Sequence, residues 1–112
     1  MLYRLSFYVP VNDLEAVKEA VFAAGGGCYG DYDRCSWQAL GQGQFRPLSG
    51  STPYLGRVGQ LEQVDEYKVE IVVEERRIEA VVKALLKVHP YQQPAYGLTR
   101  LLTLEDFGFE SC

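Results

Sequence analysis

The sequence is poor in the residues that most often advertise chemistry. It holds one histidine, His89, and three cysteines, Cys28, Cys35 and Cys112. The cysteines are odd in number and lack CxxC spacing, which argues against a disulfide framework and a self-contained zinc site and leaves reduced thiols as the expected state. Lysine and arginine are outnumbered by aspartate and glutamate, 11 to 15, for a formal net charge of −4. With no basic stripe to neutralise phosphates, nucleic acid is excluded as the main partner, and a metal ion or neutral ligand suits the charge better. No apolar run approaches the roughly 18 residues of a membrane span. The N-terminal stretch MLYRLSFYVP breaks its apolar run with Arg4, unlike a secretory signal, so the expected location is the cytoplasm with no membrane partner.

What is present is ordinary globular material. The 112 residues are 47% hydrophobic and 23% charged, enough for one domain with a modest core. Residues 2–9 put Tyr3, Leu5, Phe7 and Val9 on one face of a strand. Asn12 is the expected N-cap of a following helix, with Glu15 as its capping-box partner, and Leu14, Val17, Val21 and Ala24 recur at helical spacing. Gly25, Gly26 and Gly27 end it. Residues 33–45 read as a second strand, with Cys35, Trp37, Ala39 and Phe45 in phase and bulges or close backbone approach expected at Gly41 and Gly43.

Residues 43–62, dense in glycine and proline, form an excursion too long for a tight hairpin. Asp65, Tyr67, Val69, Ile71 and Val73 then alternate with Glu66, Lys68 and Glu70 in a third strand. Ile78, Val81, Val82, Leu85 and Leu86 make the stripe of a second helix, which His89-Pro90 stops, because the residue before proline is pushed out of helical geometry. Residues 95–102 supply a fourth strand. The expected fold is α+β, a ferredoxin-like βαββαβ sandwich with a four-stranded antiparallel sheet and two helices on one face. One domain spans 1–104, and 105–112 is a short tail, either a short extra strand on a neighbour or frayed.

Several phrases, in order, resemble a known family: GDYDRCSW at 30–37, GQGQFRPLSG at 41–50, PYLGRVGQLEQVDE at 53–66 and HPYQQPAY at 89–96. They are similar to the YqfO-type domain of the NGG-interacting-factor-three-like proteins, from strand one to Leu102. The resemblance implies a fold like that of the PII and CutA proteins, which assemble as trimers through their sheets and keep ligands in the clefts between subunits. In larger family members, two metals are held outside this domain by histidines and carboxylates that a chain with one histidine does not supply. The family phrase looks like HPYEEPAYD; here Gln92, Gln93 and Gly97 replace three acidic residues, and an amide oxygen is a weaker partner for a divalent cation.

Each candidate site residue has a plain and a functional reading. His89 either satisfies a backbone carbonyl at a helix end or, where copies of the chain meet, joins Glu62 or Glu66 in a ligand or metal site. Glu62 and Glu66, four apart on one strand face, either keep that face wet or hold a cation. Pro90 and Pro94 hold Tyr91, Gln92 and Gln93 extended, as a rim or simply as a fixed loop. Cys28 and Cys35 read as buried, inert thiols in preference to a redox or metal pair. Eight tyrosines and Trp37 exceed the needs of so small a core and point to an interface.

The leading expectation is a non-enzymatic homotrimer with a sensing or regulatory role. It binds a small ligand or a divalent cation in inter-subunit clefts, through His89, Tyr91, Gln92, Gln93, Tyr96 and Phe45, with His89, Glu62 and Glu66 as metal candidates. The alternative is an adaptor for a separately encoded dinuclear-metal protein. A hydrolase with His89 as base and Glu62 or Glu66 as acid ranks last, since no nucleophile or oxyanion donor accompanies them.

Overall fold

Alternating polarity in β1 (Leu2–Pro10), β2 (Trp37–Phe45), β3 (Glu62–Glu74) and β4 (Tyr96–Leu101) builds one sheet of order β2-β3-β1-β4 in the computed structural model, which describes residues 1–109. All neighbours are antiparallel. The helices α1 (Leu14–Ala23) and α2 (Ile78–Val88) cross one face, giving the expected ferredoxin-like arrangement. The register places Leu5 opposite Ile71 and Phe7 opposite Val69, so the odd-numbered residues of β1 and β3 share the helix side. With Val17 and Val21 of α1 and Val81 and Leu85 of α2 they form the buried core.

The end of α1 is specified by its glycines. Gly26 N–H donates to the Val21 carbonyl at 3.0 Å and Gly25 N–H to that of Phe22 at 3.0 Å, a Schellman closure in which Gly25 takes φ +109°, a backbone region closed to most side chains. Its start differs from expectation. A 3₁₀ turn at Val11–Asp13 leads directly from strand to helix, Asn12 caps nothing, and the Asp13 carboxylate accepts a hydrogen bond from the Tyr54 hydroxyl instead.

Three further expectations are corrected. β2 starts at Trp37, so Cys35 lies outside it; Gly27 N–H donates to the Val72 carbonyl at 2.8 Å and Cys35 N–H to that of Gly27 at 2.9 Å, so the connection docks on β3 there. The β2–β3 register runs unbroken from Trp37 opposite Glu70 to Phe45 opposite Glu62, without a bulge at Gly41 or Gly43. Leu86 is exposed, because the axis of the α2 stripe runs through Val81 and Leu85. Leu104–Phe107 is a 3₁₀ turn, closed by Asp106, which accepts from Thr103 N–H at 2.8 Å. Residues 110–112, with Cys112, lie outside the described residues.

The opposite face of the sheet carries no helix. Even-numbered residues of β1 and β3 stand there, and those of β3 pair in turn with Trp37, Ala39, Gly41, Gly43 and Phe45 of β2. Arg4 meets Glu70 at 3.3 Å and Lys68 meets it at 3.4 Å on that open side. No helix among the described residues is long and apolar enough to cross a membrane.

Candidate functional site

The stripe of α2 has one more member than its apolar residues show. Val81, Leu85 and His89 follow at four-residue intervals, and His89 is as hidden as the core, 6% exposed. Pro90 turns its backbone extended, with ψ 132°, which aims the ring across the end of β1. β4 begins opposite Phe7, so the next residue of β1, Tyr8, lies at the limit of the ladder. Its N–H donates to the Ala95 carbonyl at 3.2 Å. Its carbonyl accepts from His89 Nε2 at 2.7 Å, while Nδ1 accepts from Tyr91 N–H at 3.1 Å. These two bonds fix the neutral Nε2–H tautomer. Burial holds the imidazole below its ordinary pKa, outweighing the Tyr8 carbonyl and the nearby Asp13 and Glu66 carboxylates, which favour the charged form.

His89 thereby sets Tyr91, whose ring lies 5.1 Å away, centroid to centroid. The Tyr91 hydroxyl donates to Glu66 Oε2 at 2.9 Å. Burial, then the Glu66 bond, pushes that phenol well up, so it remains a donor at neutral pH. Glu66 reaches this position over Gly43, where a Cβ would collide with its carboxylate. The close approach expected at Gly43 is therefore made by a side chain, and the glycine is needed for space rather than for its dihedral angles.

The excursion between β2 and β3 folds back over this end of the open face. Thr52 N–H donates to Gln92 Oε1 at 2.9 Å, tying the excursion to the 89–97 rim, and the Tyr54 hydroxyl reaches both oxygens of Asp13 at 3.4 and 3.3 Å. Between them lies a cavity of about 320 Å³, at the small end of the range for small-molecule sites. Its floor is Tyr8, Gly43, Phe45 and Glu66; Pro47, Pro53, Tyr54 and Leu55 wall one side, and Tyr91, Gln92 and Gln93 the other.

Of the residues singled out by sequence, Phe45, Glu66, Tyr91, Gln92 and Gln93 thus come together. His89 stands behind them with both ring nitrogens engaged. Tyr96 pairs with Phe7, half-exposed and away from the cavity lining. Glu62 lies over Gly56 and, four residues along the strand, about 13 Å from Glu66. Within one chain His89, Glu62 and Glu66 therefore share no cation, and no group of three metal-ligating side chains occurs among the described residues. Cys28 and Cys35 are free thiols, but partly exposed where burial was expected, since both lie in the irregular connection between α1 and β2. Sequence reasoning missed Tyr8, Tyr54 and Asp13. The available signal was Tyr54 itself, a large ring beside Pro53 in a segment with no periodicity to bury it.

No family model matches the chain. Curated proteins do. The chain is 44% identical over 95 residues to the GTP cyclohydrolase 1 type 2 homolog of Mycobacterium leprae, covering 85% of this chain and 25% of that protein. To the Bacillus subtilis protein of the same name it is 40% identical over 97 residues, 87% and 26% of the two. It therefore spans about a quarter of the length of the curated relatives it matches.

Among solved structures, the Bacillus cereus protein related to NIF3 superimposes with a TM-score of 0.76 at 33% identity, over 89% of this chain and 25% of that one. The periplasmic divalent cation tolerance protein CutA of Archaeoglobus fulgidus gives 0.66 at 13% identity, over 96% and 91%. GlnK of B. subtilis in its ATP complex gives 0.57 at 11%, over 87% and 78%. These last two likenesses show the shared fold alone. Together with the family phrases from strand one to the 89–97 rim, the matches identify the chain as a YqfO/NIF3-type domain, the counterpart of a quarter-length segment of those larger proteins.

Proposed function

We propose that the protein is a non-enzymatic PII- and CutA-like oligomeric module that binds a small ligand in clefts where its copies meet, in a sensing or regulatory role in the cytoplasm. The cavity between the 46–61 excursion and the 89–97 rim carries this reading, because it is concave, mostly apolar and furnished with a few fixed polar groups. It opens on the sheet face that no helix covers, where Trp37 is 57% exposed, the kind of ring that interfaces favour. The trimer is what the family resemblance implies for that face. An organic ligand is better supported than a divalent cation, which needs several oxygen ligands where this cavity offers one carboxylate. A hydrolytic role finds no support in His89, whose lone pair is already spent on Tyr91 N–H.

Native mass spectrometry of untagged protein, with and without chelator, tests the reading. The expected spectrum is a trimer carrying a retained organic mass that chelator leaves in place. Mass lost on chelation would restore the cation, and a bare monomer would sink the proposal. A second reading takes the exposed Trp37 on the uncovered sheet face as part of a docking surface: the domain would be an adaptor for a separately encoded dinuclear-metal protein, supplying in trans what larger members of the family carry in one chain. Co-purification of such a protein from native lysate would favour it.

A further inference from the structure

The cavity has a one-sided charge. Among the described residues no lysine, arginine or histidine lines it, and Glu66 is the one formally charged side chain that does. Asp13 adds a second carboxylate behind the Tyr54 hydroxyl. A phosphate or carboxylate ligand would meet like charge with no cation to receive it.

The rings are arranged to answer the opposite sign. Phe45 and Tyr54 flank Tyr91 with centroids 6.0 and 6.2 Å away and planes tilted by 57° and 58°. All three rings line the cavity, and an aromatic face is electronegative, attracting cations with a strength that rises as water is excluded. Tyr8 contributes a fourth ring to the lining. A compact metal ion cannot use these faces in place of oxygen ligands. An alkylated ammonium group can, because its charge is spread over methyl groups that also fill apolar volume.

Glu66 is built into place rather than waving from a strand. Tyr91 holds one carboxylate oxygen at 2.9 Å, Tyr91 is itself set by His89, and Gly43 leaves the volume that the carboxylate occupies. The amide of Gln93 remains in the lining for a polar substituent.

We infer that the cleft selects an organic cation, a small alkylated amine or quaternary ammonium group, with its charge against Glu66 and its alkyl groups against Phe45, Tyr54 and Tyr91. This rests on the proposal that the cleft binds a small ligand, and it names the class of that ligand.

The test uses three probes on the full chain, followed by the ring resonances of Phe45 and Tyr91 in NMR titrations. They are choline, its neutral carbon isostere 3,3-dimethylbutan-1-ol, and ATP as an anion. Choline is expected to bind saturably and about tenfold more tightly than the alcohol, and Glu66→Gln to remove about that factor from choline alone. If Glu66→Gln fails to fold, Phe45→Leu replaces it, with a several-fold loss expected for choline alone. Equal binding of choline and the alcohol would overturn the charge selectivity and leave a small-ligand cleft standing. ATP binding more tightly than choline would overturn it too, as would choline affinity unchanged by Glu66→Gln. Silence from all three probes, with no organic mass retained in the native spectrum, would overturn this inference and the cleft-binding proposal together.

Discussion

On the helix side of the sheet, Leu5, Phe7 and Val9 of β1 meet Val69, Ile71 and Val73 of β3 beneath Val17, Val21, Val81 and Leu85, all of them buried. On the other side, Arg4 and Lys68 pair with Glu70 in the open, and one end carries a cavity held by directional bonds among residues 8, 52, 66, 89, 91 and 92. The first side is stabilised by area, at roughly 1.5–3 kcal/mol for each large apolar side chain removed from water. The second depends on a few polar contacts, each worth far less in stability but specific in geometry. Mass and shape make the fold; placement makes the site.

The largest break in that contrast is Phe7→Ala, expected to cost about 3–5 kcal/mol by loss of buried area and creation of a cavity. The urea midpoint reads it, and a loss below about 1 kcal/mol would mean that the helix side is not where the stability resides. His89→Ala acts at the seam between the two sides. It leaves the Tyr8 carbonyl and the Tyr91 N–H without partners, for an expected cost of about 2–3 kcal/mol.

That variant also sharpens the comparison through pH. Burial lowers the folded-state pKa of His89 below 6.5, so below 6.5 the unfolded chain binds a proton that the folded chain resists. The contribution of the neutral ring is complete above 6.5 and is lost as pH falls through that value toward the folded one. Wild type should therefore lose more stability than His89→Ala across that window in parallel urea titrations, and parallel curves would refute the assignment. The smallest effect is expected on the open side. Tyr91→Phe removes the bond to Glu66 at a cost of about 1 kcal/mol, read as a small drop in the urea midpoint with the m-value unchanged.

The helix side was legible in the sequence because its cause is periodic. Leu5, Phe7 and Val9 declare a strand and Leu14, Val17 and Val21 a helix with no knowledge of what they touch. The site was half legible. Phe45, Tyr91, Gln92 and Gln93 stood out on composition and family phrase, yet nothing local says that Tyr54 will reach back to Asp13 or that Tyr91 will cross to Glu66, since these contacts span 41 and 25 residues of chain. Asn12 shows the same limit from the other direction. A capping box is a local pattern, and here it yields to a 3₁₀ turn and to a carboxylate drawn to a distant tyrosine. His89 was ambiguous because proline after it and burial before it are both true. Its four-residue interval from Leu85 was the deciding signal, and a polar residue in an apolar stripe is easily passed over.

The pairing of β1 with β4, Leu2 opposite Leu101 through Phe7 opposite Tyr96, closes a loop of almost the entire chain. Contacts of such separation slow folding, because the entropy of closure must be met before the contacts return anything. Tyr8, whose carbonyl anchors His89, sits at the end of that pairing. The β2–β3 ribbon and the two helices can therefore take shape early, whereas the cleft waits for the first and last strands to meet. Binding competence would arrive abruptly, with that closure, and a ligand in the surrounding solution would report a closed sheet rather than a partly formed one.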